Sequence, residues 1–234
     1  MDVKEVLKNL AYENDLLDDQ VRIFVTDTRL DVSRIEDYAL MKGKEVLLRA
    51  IFRNCYGDAF TDSPMEFSGT LKEAMESCDR PALVALLNAV MKCLGLIDRT
   101  VHCHREEPEK CAEILVETLK TMDVKKIGII GFQPAFVKAI SEAFGKGNVM
   151  VSDRDPENVG RVKYGVTIMD SEKNEELIKN SDIVLATGSS FVNGTLDEIL
   201  ELSKKWEKRV IFYGTSIAGG AKLLGLERFC ALGR

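Results

Sequence analysis

The 234-residue chain sets 38 acidic against 32 basic residues, a formal charge of −6 at pH 7, with 45% hydrophobic and 7% aromatic residues. This is ordinary globular composition in a chain long enough to bury sizeable cores, and it excludes wholesale disorder. The acidic balance speaks against a duplex-DNA surface, and no apolar run approaches a membrane span, so neither nucleic acid nor membrane is expected as a partner.

The polar, acidic N-terminus carries no apolar signal segment, and a cytoplasmic location is the expectation. Residues 2–17 place Val3, Val6, Leu7, Leu10 and Ala11 at helical spacing. Runs rich in β-branched residues predict strands over 21–26 and 46–52, and residues 57–61 read as one more strand or its exit. Residues 37–44 suggest a short strand and a turn at Lys42-Gly43. No crossover helix separates these segments, so this part reads as antiparallel. Ser68 or Thr70 can cap a helix over 71–77, with Glu73 in its first turn. Pro81 suits the first turn of a longer helix over 82–94, ended by Gly95. Its apolar residues, Leu83, Val84, Leu86, Leu87, Ala89, Val90 and Leu94, cover most of its circumference. Such a helix belongs at a domain or subunit interface, and a homodimer is expected.

The polar stretch 102–110 marks a boundary between a small α+β domain (1–107) and an α/β domain (108–234). Pro108 starts a helix over 109–121. Strands over 126–130, 149–152, 166–169, 183–186, 210–213 and 228–230 then alternate with helices over 134–144, 172–179, 196–204 and 220–224. Buried apolar strands between helices predict a mostly parallel sheet covered on both faces.

Ligands of such sheets gather beyond the carboxyl ends of the strands. Here those ends are polar and rich in glycine. The first carries Gly131, Gln133 and Pro134; Gly131 permits a tight turn, but the run lacks the third glycine of a dinucleotide fingerprint. The second carries Asp153 and Asp155, placed where an acid meets a ribose in doubly wound folds, or else ordinary turn residues. The third, Thr187, Gly188, Ser189 and Ser190, runs on to Asn193, Gly194 and Thr195, with Thr195 or Asn193 available to cap the next helix. The fourth is Gly214, Thr215 and Ser216. Together these groups can hydrogen-bond a carboxylate, a phosphate or an amino-acid-like group. No histidine, cysteine or nucleophile elbow lies among them. Lys163 and Tyr164 are nearby ionisable residues without a motif, so no catalytic residue is assigned.

Both histidines sit at His102 and His104, around Cys103 and ahead of Cys111. Such donors can coordinate zinc, nickel or copper, but two alternating ligands do not close a site, and exposed linker histidines beside a semi-buried cysteine are the plainer reading. The six cysteines form no CxxC pair and read as reduced thiols. Asp58, Asp62 and Glu66 form an acidic stretch that solvates a loop or faces an inter-domain cleft.

The run Ile127-Gly128-Ile129-Ile130-Gly131-Phe132-Gln133-Pro134, the run 181–196 with Thr187-Gly188 and Asn193-Gly194-Thr195, and Tyr213-Gly214-Thr215-Ser216 together resemble the DUF364 family, labelled for heavy-metal chelation. Gly69-Thr70-Leu71 and the region around Asn88 are similar to the DUF4213 domain that precedes it. Gln133 and Thr215 depart from the usual pattern of the family's turns. The resemblance implies a Rossmann-like C-terminal domain joined to an N-terminal domain like the enolase N-terminal fold, with a ligand cleft between them. It implies no catalytic residue. The expected function is therefore binding of a small polar or anionic molecule at the strand ends. The alternatives are a transferase using a nucleoside-type cofactor such as S-adenosylmethionine, and chelation or delivery of a transition metal.

Overall fold

The computed structural model describes residues 1–26, 45–104 and 107–234. The strand and the Lys42-Gly43 turn expected within 37–44 lie outside them. Four strands, β1 (Gln20–Thr26), β2 (Val46–Phe52), β3 (Cys55–Thr61) and β4 (Phe67–Thr70), form an antiparallel sheet in the order β3-β2-β1-β4. β4 carries no strand signal of its own; it exists because Gly69 pairs with Val21 across a long sequence separation.

Three helices pack with this sheet: α1 (Val3–Glu13), α2 (Leu71–Ser77) and α3 (Arg80–Cys93). α1 stops earlier than its apolar spacing predicts, because Asn14 caps it and Asp15 turns into the left-handed region (φ 54°). α2 opens on a reciprocal capping box between Thr70 and Glu73. α3 opens on Asp79 with Pro81 in its first turn, and all ten residues from Ala82 to Met91 are buried. β3 approaches α3 so closely that a Cβ on Gly57 would lie 2.3 Å from both Ala85 O and Ala89 N. On its other flank α3 meets α7 (Ser189–Asn193) and α9 (Ala218–Leu224). The apolar circumference of α3 is thus consumed within the chain and needs no second subunit to cover it.

The larger sheet contains β5 (Ile127–Ile130), β6 (Val149–Asp153), β7 (Val162–Lys163), β8 (Val166–Asp170), β9 (Ile183–Thr187), β10 (Arg209–Tyr213) and β11 (Arg228–Phe229). Their order is β11-β10-β9-β5-β6-β8-β7, parallel except for β7, which turns back on β8 through Tyr164 and Gly165, both at positive φ. The helices α4 (Glu107–Lys120), α5 (Pro134–Phe144), α6 (Asn174–Asn180) and α8 (Leu196–Lys205) complete the layers.

Alternation along β9 separates two cores. Ile183 and Leu185 pack with Leu115, Phe136 and Ile140 of α4 and α5. Val184 and Ala186 face the other way, into a core continuous with α3 and the antiparallel sheet. That shared core also takes in α7, expected as an open loop: Ser190, Phe191 and Val192 are buried. The mixed α/β class, an antiparallel sheet ahead of a mostly parallel one, is as expected. No helix among the described residues is long and apolar enough to cross a membrane.

Candidate functional site

Strand order reverses between β5 and β9, which opens a crevice beyond their carboxyl ends. Gly131 closes β5 at φ +90°, and a Cβ there would lie 2.6 Å from Thr187 Cγ2. Glycine is needed both for the backbone angle and for the approach of β9. The buried Tyr213 hydroxyl donates to Gly131 O at 2.8 Å, and Gly188 N donates to Tyr213 O at 2.8 Å. Burial holds this phenol far above its usual titration range. Three strand ends are therefore locked together at the switch point.

The neighbouring loop is tied in by a carboxylate. Asp153 accepts from Phe132 N at 2.6 Å through Oδ2 and from Asp155 N at 2.7 Å through Oδ1. Asp155 in turn accepts from Glu157 N at 2.9 Å. Gln133 Oε1 caps α5 by accepting from Phe136 N at 2.6 Å, with Pro134 buried beside it. On β9, Ser190 Oγ donates to Thr187 O at 2.8 Å and Ser189 N donates to Thr187 Oγ1 at 3.3 Å. Thr187 and Ser189 remain partly exposed, while Gly188 and Ser190 are buried.

The antiparallel sheet contributes the opposite wall. Val46 pairs with Thr61, so Glu45 and Asp62 continue the β2–β3 ladder at its end. The Glu45 carboxyl is pushed up to about 7, first by burial and then by the charges of Asp153, Asp62 and Asp155. The charges of three carboxylates, Asp62 from its own sheet and Asp153 and Asp155 from the end of β6, thus bear on Glu45. Nothing local in the sequence marks Glu45, and Tyr213 stands out only as the start of the run 213–216; their roles depend on register and on how one sheet sits above the other.

The other expected site residues divide differently. Thr215 and Ser216 are 1% and 2% exposed and form the seam between the sheets. Asn88 Nδ2 donates toward Asp58 O, Thr215 O and Ser216 O at 3.1–3.2 Å, while Asn88 Oδ1 accepts from Gly219 N at 2.8 Å. Ser216 Oγ accepts from Phe60 N at 3.0 Å, and Thr215 Oγ1 is enclosed without a hydrogen-bond partner. Gly214 O accepts from Arg228 Nε at 2.9 Å. Asn193 and Gly194 are exposed, and Asn193 Oδ1 is engaged by the backbone and hydroxyl of Thr195 at 3.1 and 2.8 Å. Neither side chain caps α8 as expected, because Thr195 is spent on Asn193. Lys163 and Tyr164 lie in the β7–β8 hairpin at the far edge of the sheet.

Of the acidic stretch, only Asp62 reaches the crevice. Asp58 is fully buried rather than solvating a loop: Arg49, opposite it in the ladder, clasps both its oxygens at 2.7 and 2.8 Å. Its carboxylate holds the guanidinium above its ordinary value. Glu66 Oε1 accepts from Val25 N at 2.9 Å.

The expected metal donors sit on the far side of Asp58. His102 N donates to Asp58 Oδ2 at 2.7 Å, and its ring meets Phe60 edge-on at 4.8 Å. His102 is partly buried, not an exposed linker residue; burial pushes its imidazole down to about 4, and its Nδ1 has no hydrogen-bond partner. Burial, followed by neighbouring Cys111 and Cys230, pushes the Cys103 thiol up to about 12, and Cys111 is also raised, chiefly by burial. Among the described residues no three His, Cys, Asp or Glu side chains are grouped so that they could hold one metal ion. The donor set His102, Cys103, His104 and Cys111 does not fit a metal centre as arranged.

A family model described as "Putative heavy-metal chelation", DUF364, matches residues 115–219. An uncharacterised protein of Methanocaldococcus jannaschii is 50% identical over 50 residues, which span 21% of this chain and 75% of that protein. A DUF364 crystal structure from Pyrococcus horikoshii superposes with a TM-score of 0.53 at 21% identity, covering 92% of this chain and 78% of the other. Another from Desulfitobacterium hafniense gives 0.51 at 16% identity, covering 96% and 84%. Both are described as proteins of unknown function, and at these identities they speak to fold alone.

Proposed function

This chain belongs to the DUF364 family, and we propose that it binds a small polar organic molecule, neutral or positively charged, in the crevice between its two sheets. The observation that carries this reading is the meeting of Glu45 and Asp62 with Asp153 and Asp155 at the switch point. Like charges brought together raise one another's pKa, and a hydroxyl-rich or cationic ligand relieves them by donating hydrogen bonds or charge. An anion would meet the same carboxylates and be repelled, so the polar half of the expectation is favoured over the anionic half.

A nucleoside-type ligand is compatible with this crevice. Asp153 already serves two backbone amides, which leaves Glu45 as the better-placed acid to receive a hydroxyl or amine. Heavy-metal chelation finds less support, because the donors are not grouped and their thiols are held protonated by burial.

Native mass spectrometry of freshly purified protein, followed by denaturing release, tests the reading directly. Titration with adenosine and with S-adenosylmethionine then probes the hydroxyl-rich and cationic classes. The expected result is one organic molecule per chain, neutral or cationic, whose affinity falls in Glu45→Gln. A stoichiometric anion, or binding indifferent to Glu45→Gln and to a Gly131→Val substitution that blocks the switch point, would overturn it.

A further inference from the structure

A second concavity lies away from the crevice, where the segment after α3 runs past α9 and β11. It has a volume of about 270 Å³ and is lined by apolar Leu96 and Leu226 and by the charged side chains of Asp98, Arg99, Lys222 and Arg228. Arg228 donates through Nε to Gly214 O at 2.9 Å and through its two terminal nitrogens to the carbonyls of Asp98 and Arg99. A guanidinium carries five N–H groups; three serve these carbonyls and the Cys230 side chain takes a further one, so the group is nearly saturated on the protein side and turns its charge toward the cavity. Its carbonyl partners are neutral, and burial lowers its pKa although Cys230 and Asp98 act in the opposite sense.

Arg99 strengthens the case. It holds the left-handed backbone conformation at φ 52°, which a residue with a side chain adopts only when its surroundings impose it. Its carbonyl is held by Arg228, and one terminal nitrogen donates to Cys230 O at 3.2 Å. Asp98, the acid lining the cavity, is 4.0 Å from Arg99 Nε with its side chain 73% exposed, too solvated to neutralise three cations.

The geometry points to a binding site for a small anion, carrying a phosphate or carboxylate group, held by the three cations Arg99, Lys222 and Arg228 that line this cavity. It is independent of the crevice, and its chemistry is opposite: cations gather here where carboxylates gather there. Arg228 also grips Gly214 O, the residue after Tyr213, so an occupant would bear on the loop that ends at the crevice.

Isothermal titration with inorganic phosphate and, separately, with malonate tests this at constant ionic strength. Saturable binding of one anion per chain is expected, with phosphate or malonate preferred according to the group the site takes. Lys222→Ala and Arg99→Gly should each weaken it about tenfold or more, as loss of a charged hydrogen bond does. Glycine suits the left-handed backbone at 99, and an unchanged thermal midpoint shows that the variant folds. Lys204→Ala, in the last turn of α8, serves as the control and should bind like the parent. Absence of saturable binding by both anions, or affinity unchanged in both Lys222→Ala and Arg99→Gly, would overturn the assignment.

Discussion

Replacing Asn88 by alanine should remove a large part of the stability of the whole chain. Its side chain is fully buried, accepts from Gly219 N at 2.8 Å and donates toward three carbonyls at 3.1–3.2 Å. Alanine leaves the Gly219 N–H without an acceptor in the first turn of α9, and at least one carbonyl without a donor. A buried polar group left unsatisfied costs about 1–3 kcal/mol, so the expected loss is about 3–5 kcal/mol. Against a typical total of about 5–15 kcal/mol this is a severe lesion. Urea unfolding followed by Trp206 fluorescence and far-ultraviolet circular dichroism measures it, with a lowered midpoint and an unchanged slope. Asn88→Asp sharpens the test. It keeps the acceptor for Gly219 but sets a carboxylate against three carbonyls, so its loss should be greater at pH 8 than at pH 4. A loss below about 1 kcal/mol in Asn88→Ala, or no pH dependence in Asn88→Asp, would refute the reasoning that this amide joins the two sheets.

The Glu45 carboxyl titrates near 7 when folded, above its ordinary 4.5, so its neutral form is the one the fold prefers. Its contribution is full below about pH 4.5 and is lost as pH rises to 7; Glu45→Gln should therefore match the parent at pH 4 and exceed it at pH 8 by up to the order of 3 kcal/mol, read by parallel urea melts. Gly57→Ala would drive a methyl group to 2.3 Å from two backbone atoms of α3, and loss of folded protein by circular dichroism is expected. A chain of residues 108–234 alone would expose Phe191, Val192, Phe212 and Ile217, which share a core with α3. It should bind a hydrophobic dye and melt without cooperativity, whereas the full chain should show one calorimetric transition; two well-separated transitions would contradict the shared core.

Much of the fold is readable from local signals. Thr70 and Glu73 start α2, Pro81 lies in the first turn of α3 and Pro134 opens α5, because caps and prolines act on amides within a few residues of themselves. Apolar runs likewise mark β5, β9 and β10, since a strand buried on both faces must be apolar throughout. The glycine at 131 and the hydroxyls at 187–190 mark the switch point for a similar reason: close strand ends exclude a Cβ and call for short polar side chains.

What the tertiary structure decided lies wherever partners are far apart in sequence. β4 exists only by pairing with β1, and α7 only because Phe191 and Val192 have a core to enter. Asp58 looks like a loop acid until the β2–β3 register sets Arg49 opposite it. Thr215 and Ser216 look like ligand groups until Asn88 and Phe60, more than a hundred residues earlier, claim their neighbourhood. Glu45 is one acid among many until Asp153 comes to face it. Hydrogen-bond caps and hydrophobic periodicity act over a few residues and so are written locally. Charge proximity and burial depend on distance in space, which the chain acquires only when its two sheets close on each other.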